Sequence, residues 1–241
     1  MNITKHRKVF INPEYKELAQ FINSLPETFC ESGKVLRNIR NEIRLIKTDN
    51  YSLVVKSYKV PNVINKIIYG GLRKSKAERA YRYAELLLSK GIGSPVPIAY
   101  ITEKKRGLFY KSYFVSLFSE CPHNYYDLFE RNFERKSDIL EAVATTTAKM
   151  HENKFLHNDY TGGNILFNDS KNPIPIEIID LNRMSFREID IEAGCKNFGK
   201  LRATEEMLEV MGKAYAKSRG YNEMKCISLI KLYNKSWKDE K

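Results

Sequence analysis

Residues 157–166, with the sequence HNDYTGGNIL, decide the fold of this 241-residue chain. Asp159 stands five residues before Asn164, and two glycines lie between these polar side chains. The segment falls in a loop between a predicted helix and a predicted short strand. A carboxylate can accept the proton of a hydroxyl, and an amide oxygen a few residues further on can hold Mg2+. The spacing therefore predicts chemistry on a phosphate group, with Gly162 and Gly163 interpreted as the residues that let the backbone turn.

A second acidic residue indicates the same chemistry. The pattern His-x-Asp, four residues and Asn is typical of a kinase catalytic loop, with His157 at its first position. Asp180 ends an apolar strand predicted at 174–179, and it follows Asn164 by 16 residues with a hairpin between them. A buried carboxylate must be paired or bind a cation, and the hairpin would bring both residues to one metal. Asp-Leu-Asn stands here where a protein kinase has Asp-Phe-Gly.

A lysine in an apolar strand completes the set. Val54-Val55-Lys56 is similar to the kinase strand whose lysine contacts the α- and β-phosphates of the nucleotide. Glu78, on the helix predicted from about residue 75 to 90, is the expected ion-pair partner of Lys56. Glu85 shares that helical face and is the alternative. Each motif alone is weak, but together they occur in the order that a kinase-like enzyme requires.

The distribution of predicted elements agrees with this interpretation. Strands dominate the first half around one main helix, and helices dominate the second half around one hairpin. We predict an α+β, bilobed protein-kinase-like fold in a single domain over residues 1–241. The N-lobe is expected at about 1–118, the hinge at about 119–122 and the C-lobe at about 123–241.

The composition of the chain indicates its cellular location, the state of its cysteines and the charge of its partners. No apolar run approaches the roughly 18 residues that span a bilayer, and no signal-peptide pattern follows Met1, so a cytoplasmic protein is expected. The four cysteines form no CxxC pair, which predicts reduced thiols and neither a zinc site nor a redox dithiol. The net charge of +12 indicates an anionic partner, which by charge alone is a nucleic acid, an acidic membrane or a phosphorylated substrate.

Beyond these motifs, the chain resembles the lipopolysaccharide kinase family from about Gly33 to about Asn197. This family phosphorylates Kdo or heptose sugars of the inner core and shares the protein-kinase fold. The shared segments are Val55-Lys56, Lys76-Ala77-Glu78-Arg79-Ala80-Tyr81, Gly91-Ile92-Gly93-Ser94-Pro95, Ser112-Tyr113-Phe114-Val115, the catalytic loop and Ile179-Asp180-Leu181-Asn182-Arg183. They are more specific for kinase-like phosphotransferases in general than for a sugar acceptor.

The resemblance implies ATP and Mg2+ as cofactors and a role for each motif residue. Asp159 would be the catalytic base, and Asn164 and Asp180 would be the Mg2+ ligands. Lys56 would bind the ATP phosphates, and Glu78 would orient it. For His157 we favour a structural role, as a hydrogen-bonded support of the catalytic loop.

The chain also departs from the protein-kinase pattern. No Gly-x-Gly-x-x-Gly precedes Lys56, and only Gly33 is available, so the phosphates would be covered differently, through Arg37, Asn38 or Arg40. Thr161 stands where protein kinases have a lysine, and no Ala-Pro-Glu follows Asp180. These absences argue against a regulated protein kinase and favour a small or lipid-linked acceptor.

The expected partners follow from charge and resemblance together. They are a nucleotide, an anionic sugar or lipid-linked acceptor, and a peripheral contact with the cytoplasmic face of the inner membrane. Three alternatives remain open: a protein or other small-molecule acceptor, an inactive kinase-like binding module, and a nucleic-acid-binding protein. Retention of all four polar motif residues argues against the second, and no nucleic-acid-binding signature supports the third. The basic residues predicted to attract the acceptor are Lys66, Arg73, Lys74, Lys76, Arg79, Arg82, Arg183, Arg187, Lys196, Lys200 and Arg202.

Overall fold

The computed structural model describes residues 5–39, 41–58, 74–105 and 108–239. The chain divides into two compact units. The first comprises Met1–Leu86 and Pro95–Phe118, and the second comprises Leu87–Ser94 and Ser119–Lys241. The predicted single domain with a hinge at 119–122 stays a prediction. Arg40, Lys66 and Arg73, which the sequence analysis singled out, lie outside the described residues.

Six described strands form one antiparallel sheet in the first unit, in the order β1-β5-β6-β4-β3-β2. The strands are β1 Lys5–Ile11, β2 Lys34–Asn38, β3 Asn41–Lys47, β4 Ser52–Tyr58, β5 Pro97–Lys105 and β6 Leu108–Leu117. The predicted strands at 35–47 form the β2–β3 hairpin, and the predicted strand at 51–58 is β4. Strand β1 was not predicted, because its four leading positions are basic or polar; its pairing with β5 supplies the backbone hydrogen bonds.

The two faces of this sheet pack against different helices. Helix α1 (Ala19–Thr28) places Ile22 and Leu25 in a core with Leu53 and Val55 of β4. Side chains alternate along a strand, so the neighbouring positions of β4 belong to the other face. There Tyr58 packs with Ala77 and Tyr81 of helix α2 (Lys76–Ser89). This alternation puts Lys56 on the face that α2 covers.

The second unit combines helices with two small sheets. The predicted helix from Ser137 begins at Lys136, and the predicted hairpin around 168–173 joins the strands β9 (Ile165–Phe167) and β10 (Ile176–Ile178). The predicted helix at 125–134 is a short 3-10 helix over Tyr125–Phe129. The remaining elements are α3 Lys136–Glu152, α4 Ile191–Asn197, α5 Glu205–Arg219, α6 Glu223–Asp239, β7 His123–Asn124, β8 Phe155–His157, β9 Ile165–Phe167, β10 Ile176–Ile178 and β11 Met184–Phe186.

Tyr160 fixes the loop of residues 158–164 to the core of the second unit. Its side chain is completely buried between catalytic-loop and helical residues, and its hydroxyl is 2.6 Å from Thr147 Oγ1 of α3. The ring also packs edge-on against Phe198. Because a buried hydroxyl without a partner is costly, this bond favours one placement of the residue that follows Asp159.

Two further sequence expectations concern the whole chain. Within the described ranges, no helix is both long and apolar enough to cross a membrane. All four cysteines are free thiols, with Cys30 exposed and the other three buried. No pair of them forms a disulfide.

Candidate active site

His157 connects the two acidic motifs of the second unit. It ends β8, which pairs with β11 immediately after the Asp180 segment, so that His157 lies opposite Met184. The buried imidazole accepts the backbone N–H of Asp159 at Nδ1 (3.2 Å), and its Nε2 lies 3.1 Å from the carbonyl oxygen of Ile179. Burial lowers the pKa of His157, which keeps the ring neutral. The imidazole thus lies between the backbone of Asp159 and that of Ile179, the residue before Asp180, and contacts both.

Asn164 is oriented by the catalytic loop itself. Its Nδ2 donates to the backbone oxygen of Asp159 at 2.8 Å. This bond uses the nitrogen end of the amide, and the oxygen Oδ1 takes no part in it. The carbonyl of Asn164 accepts the backbone N–H of Ile179 at 3.0 Å, as the β9–β10 hairpin continues. The structure therefore brings the predicted residues Asp159, Asn164 and Asp180 into one hydrogen-bonded segment.

Asp180 adopts a backbone conformation that non-glycine residues rarely use. Its φ of 57° and ψ of 49° lie in the left-handed region, which costs L-residues roughly 1–2 kcal/mol but is tolerated best by Asp and Asn. The turn ends β10 and directs the chain into β11. Asn182 Nδ2 lies 3.3 Å from Asp180 Oδ1 and so contributes to the placement of the carboxylate. Backbone outliers of this kind cluster at functional sites.

One cation lies beside Asp159 and a second contacts the residue before it. Arg183 Nη1 is 3.4 Å from Asp159 Oδ2, and about a third of the Asp159 side chain is exposed. The backbone oxygen of Arg183 accepts hydrogen bonds from both the N–H and the side-chain amide of Asn158. Lys200 Nζ donates to the Asn158 carbonyl at 3.2 Å. The predicted basic residues Arg183 and Lys200 therefore flank the loop that bears Asp159.

The two glycines of the loop have a different role from the one predicted. Neither Gly162 nor Gly163 has a positive φ, so the turn does not need their conformational freedom. Gly162 is required for space, since an added Cβ would lie 2.8 Å from Tyr126 Cε1 and 2.9 Å from Tyr125 Cδ1. At Gly163 the nearest atom would be an ordinary 3.5 Å away. Neither tyrosine was predicted to have a role, and the loop glycine beside them was the available indication.

In the first unit, the structure places Lys56 in the middle of β4, opposite Ile43 and Phe114. Its Nζ lies 5.3 Å from the centre of the Tyr58 ring. This is the face of the sheet that α2 covers, as the predicted Lys56–Glu78 pair would require.

Glu78 is buried near the start of α2. Its described ion pairs join Oε2 to Lys8 Nζ (3.2 Å) and Oε1 to Arg82 Nη2 (2.9 Å). The alternative partner of Lys56, Glu85, is exposed. The pairing of Glu78 with Lys56 stays a prediction, and Lys8 is a neighbour that the sequence analysis missed because strand β1 was missed. Arg79 is buried, so it does not contribute to the predicted basic surface.

The oxygen atoms of Asn164 and Asp180 fit a hard cation. In the described part of the chain, no group of three His, Cys, Asp or Glu side chains could hold a metal, so a zinc-type site is not present there. Mg2+ needs fewer protein ligands, because it binds through one or two side-chain oxygens and keeps waters or phosphate oxygens as its other ligands. An amide oxygen and a carboxylate are the donors that such a site uses.

Comparison with known proteins shows the family and the fold. A sequence profile of the lipopolysaccharide kinase (Kdo/WaaP) family matches residues 33–219, well over half of the chain. The solved structure of WaaP in complex with acyl carrier protein is similar over 96% of this chain and 98% of that chain, with a TM-score of 0.68 and 16% identity. A Rio2 kinase–ADP/Mg2+–phosphoaspartate complex from Chaetomium thermophilum covers 94% of this chain and 78% of that chain, with a TM-score of 0.49 and 13% identity.

One curated relative also matches. A subunit of the EKC/KEOPS complex from Schizosaccharomyces pombe is 24% identical over 152 residues, which are 62% of this chain. The chain spans 58% of the length of that relative.

Fold and family together define the class: the chain has the protein-kinase-like fold of a family of kinases. It belongs to the lipopolysaccharide kinase (Kdo/WaaP) family. The α+β, kinase-like fold and the family predicted from the sequence are thereby confirmed. The family match begins at Gly33, as predicted, and extends beyond the predicted end at about Asn197 to Arg219.

Proposed function

We propose that the protein transfers the γ-phosphoryl group of ATP to a hydroxyl of a Kdo or heptose sugar in the lipopolysaccharide inner core. The observation that supports this most is the link between Asn164 and Asp180 on one side and Asp159 on the other. Asn164 binds the Asp159 carbonyl through its side chain and Ile179 through its backbone. Three oxygen-bearing side chains therefore sit within one hydrogen-bonded unit, which is what positioning-based phosphoryl transfer requires.

In the proposed reaction Asp159 accepts the proton of the acceptor hydroxyl. The hydroxyl oxygen forms a bond to the γ-phosphorus while the bond from that phosphorus to the β-phosphate oxygen breaks, and ADP leaves. Asn164 Oδ1 and the Asp180 carboxylate would hold Mg2+, which neutralises charge on the phosphates when bound. Lys56 would contact the α- and β-phosphates, and Glu78 would orient it. His157 would support the loop without exchanging protons, because its neutral ring is held by two hydrogen bonds.

The cations beside Asp159 support an anionic acceptor. Kdo bears a carboxylate, and inner-core sugars can already carry phosphate. Arg183 can exchange its contact with Asp159 for a contact with such a group, because about 60% of its side chain is exposed. Lys200, whose Nζ contacts the Asn158 carbonyl, is also exposed. An acceptor that recruits Arg183 would at the same time release the catalytic carboxylate.

The proposed location is peripheral, at the cytoplasmic face of the inner membrane, where a lipid-linked acceptor would be presented. The net charge of +12 supports attraction to anionic headgroups. A protein or another small molecule as acceptor is the alternative within the same enzyme class. The third possibility is a catalytically inactive binding module.

A transfer assay separates these possibilities. Purified protein is incubated with Mg2+, radiolabelled ATP and a Kdo-containing lipid A acceptor, and label in the lipid is counted. We expect Asp159→Ala to abolish transfer and leave ATP binding largely intact, and Asp180→Ala to abolish Mg2+-dependent nucleotide binding. Asp169→Asn, a partly exposed carboxylate on the turn after β9, is the matched control and should retain activity. Full transfer by both active-site variants would defeat the proposal.

The acceptor can be identified in cells. Mass spectrometry of lipid A–core from cells with and without the gene should show one phosphate missing in its absence, restored by the wild-type gene and not by Asp159→Ala. Unchanged core phosphorylation, together with ATP-dependent labelling of another molecule, would move the assignment to the alternative acceptor.

A further inference from the structure

Helices α3, α4 and α5 enclose three polar side chains that the proposed reaction does not use. His151 of α3 lies between Tyr215 of α5 and Asn197 at the end of α4. The Tyr215 hydroxyl is 2.9 Å from His151 Nδ1, and Asn197 Oδ1 is 3.1 Å from His151 Nε2. The histidine and the tyrosine are almost completely buried. Hydrogen bonds among them therefore offset a desolvation cost.

The donor and the acceptor of each hydrogen bond can be assigned from the backbone carbonyl at the end of the series. Asn197 Nδ2 lies 3.0 Å from the backbone oxygen of His157, and a carbonyl oxygen can only accept. The amide therefore presents its nitrogen to the catalytic loop and its oxygen to His151. His151 must then donate from Nε2, which leaves Nδ1 to accept the hydroxyl proton of Tyr215. Burial lowers the pKa of His151 to about 4, so this neutral tautomer persists at pH 7.

The same reasoning extends into the active site. His157 Nδ1 accepts the N–H of Asp159, so the ring proton of His157 is also on Nε2, where it faces the Ile179 carbonyl. The backbone carbonyl of His157 accepts the hydrogen bond from Asn197 Nδ2. Through its side chain it contacts Asp159 and the residue before Asp180. Hydrogen bonds therefore connect Tyr215, through His151, Asn197 and His157, to the backbone of Asp159 and to that of Ile179, the residue before Asp180.

Gly194 supplies an independent indication that this arrangement is built into the fold. A Cβ at this position of α4 would lie 2.0 Å from the Tyr215 hydroxyl oxygen and 3.3 Å from His151 Nδ1. Any other residue at position 194 would displace the tyrosine from the histidine. Glycine, which has no side chain, therefore leaves the space in which the Tyr215 hydroxyl contacts His151.

We infer that Asn197 is a positioning residue, which joins the catalytic loop to His151 and Tyr215 and thereby holds Asp159 and Asp180 in place for phosphoryl transfer. The inference concerns the geometry of the site. It rests on the proposed function only because phosphoryl transfer is the reaction used to measure kcat. A single neutral hydrogen bond contributes little to the stability of the fold. A displacement of about 1 Å at a catalytic group costs roughly 100-fold in rate.

Two variants of Asn197 test the inference. Asn197→Ala removes both bonds, whereas Asn197→Asp can still accept from His151 but cannot donate to the His157 carbonyl. We expect both to lower kcat about 10- to 100-fold, with the KM for ATP changed less than about twofold. Asn153→Ala is the control, because it removes a similar amide-to-carbonyl bond, to Lys149 at 2.9 Å, away from the loop. Thermal melts establish that each variant is folded.

Folded Asn197 variants with wild-type kcat would overturn the inference. If neither variant folds, His151 provides a second pair. Glutamine at position 151 can donate and accept like the neutral imidazole, whereas leucine can do neither, so His151→Gln should retain much more activity than His151→Leu. Equal kcat values for these two would also overturn it.

A measurement without any acceptor separates this inference from the proposed function. Nitrogen NMR of the labelled imidazoles should show His151 and His157 protonated at Nε2 and neutral between pH 6 and 8. Protonation of either ring at Nδ1 would overturn the inference even if sugar phosphorylation were established. Conversely, the expected tautomers with no transfer to any lipopolysaccharide acceptor would overturn the proposed function alone.

Discussion

Asp180 shows how a single residue connects backbone geometry with chemistry. A left-handed conformation at its position turns the chain from β10 into β11, and aspartate tolerates that conformation better than most residues. Asn164 is placed by the same hairpin, because its carbonyl accepts the N–H of Ile179. The two proposed metal ligands therefore lie at the open end of one hairpin, one residue before β9 and two residues after β10.

Arg183 gives a prediction about the acceptor. Replacement by glutamine removes the charge beside Asp159, and charge-assisted hydrogen bonds contribute about 1.5–3 kcal/mol. We expect Arg183→Gln to raise the KM for a carboxylate-bearing acceptor about 10- to 100-fold and to leave the KM for ATP unchanged. Steady-state kinetics with each substrate varied in turn measure both. Lys225→Gln, which lowers the net charge equally from the exposed side of α6, should change neither; a KM effect of the same size there would indicate a general charge effect.

The two loop glycines form a matched pair for a second prediction. Gly162→Ala would bring a methyl group within 3 Å of Tyr125 and Tyr126, and Tyr125 is completely buried. The loop must therefore shift, and we expect kcat to fall roughly 100-fold. Gly163→Ala meets only ordinary contacts and should stay near wild type. Similar kcat values for the two variants would contradict a steric role for position 162.

At the scale of elements, α1 matters because it covers the sheet face opposite Lys56. Ile22 and Leu25 are fully buried and pack against Leu53 and Val55 of β4. Val55 and Lys56 point to opposite faces because side chains alternate along a strand. The packing of α1 on one face therefore fixes which side chains of β4 remain on the face that α2 covers.

Truncation of Ile22 tests this packing. Ile22→Ala leaves a cavity under α1, and large-to-small core substitutions of this kind cost about 2–5 kcal/mol. We expect a decrease of that size in the free energy of unfolding, measured by urea denaturation followed by circular dichroism. Gln20→Ala on the exposed side of the same helix should change stability by less than about 0.5 kcal/mol. A small effect at both positions would mean that α1 does not pack as described.

For the whole molecule, the buried histidines make stability depend on pH. His151 has a pKa of about 4 when folded and about 6.5 when exposed. Between these values the unfolded chain binds a proton that the folded protein does not. Stability is therefore fully present above about pH 6.5 and is lost as the pH falls towards 4, by up to about 3 kcal/mol for His151 alone.

The variant His151→Gln isolates this contribution. Carboxylates titrate in the same pH range in both proteins, so they cancel in the difference between wild type and variant. We expect the free energy of unfolding of wild type, relative to the variant, to decrease by about 3 kcal/mol between pH 7 and pH 4. Urea denaturation at several pH values measures it. A difference that stays constant with pH would exclude a buried neutral histidine at this position.

The charge of the whole molecule gives a further prediction. With a net charge of +12, the protein should bind phosphatidylglycerol vesicles at least tenfold more tightly than phosphatidylcholine vesicles, since each basic residue near an anionic surface contributes about 1 kcal/mol. Sedimentation with vesicles at 0.05 M and 0.5 M salt measures the affinity, and salt should weaken it. Equal binding to both lipids would remove the proposed attraction to the membrane.

The kinase-like fold, the family and the grouping of Asp159, Asn164 and Asp180 could all be predicted from the amino-acid sequence. These depend on local spacing: a helix, a loop of fixed length and a hairpin bring the three residues together whatever surrounds them. Strand periodicity likewise predicted β4 with Lys56 on it.

Contacts between residues that are distant in the chain could not be predicted from the sequence and became visible in the folded protein. Strand β1 forms because β5 offers it an edge, and the partners of Glu78 then include Lys8. The need for Gly162 arises from Tyr125 and Tyr126, and the His157 carbonyl accepts a hydrogen bond from Asn197, 40 residues away. Such contacts are set by which surfaces pack together, and local patterns in the sequence do not specify that packing.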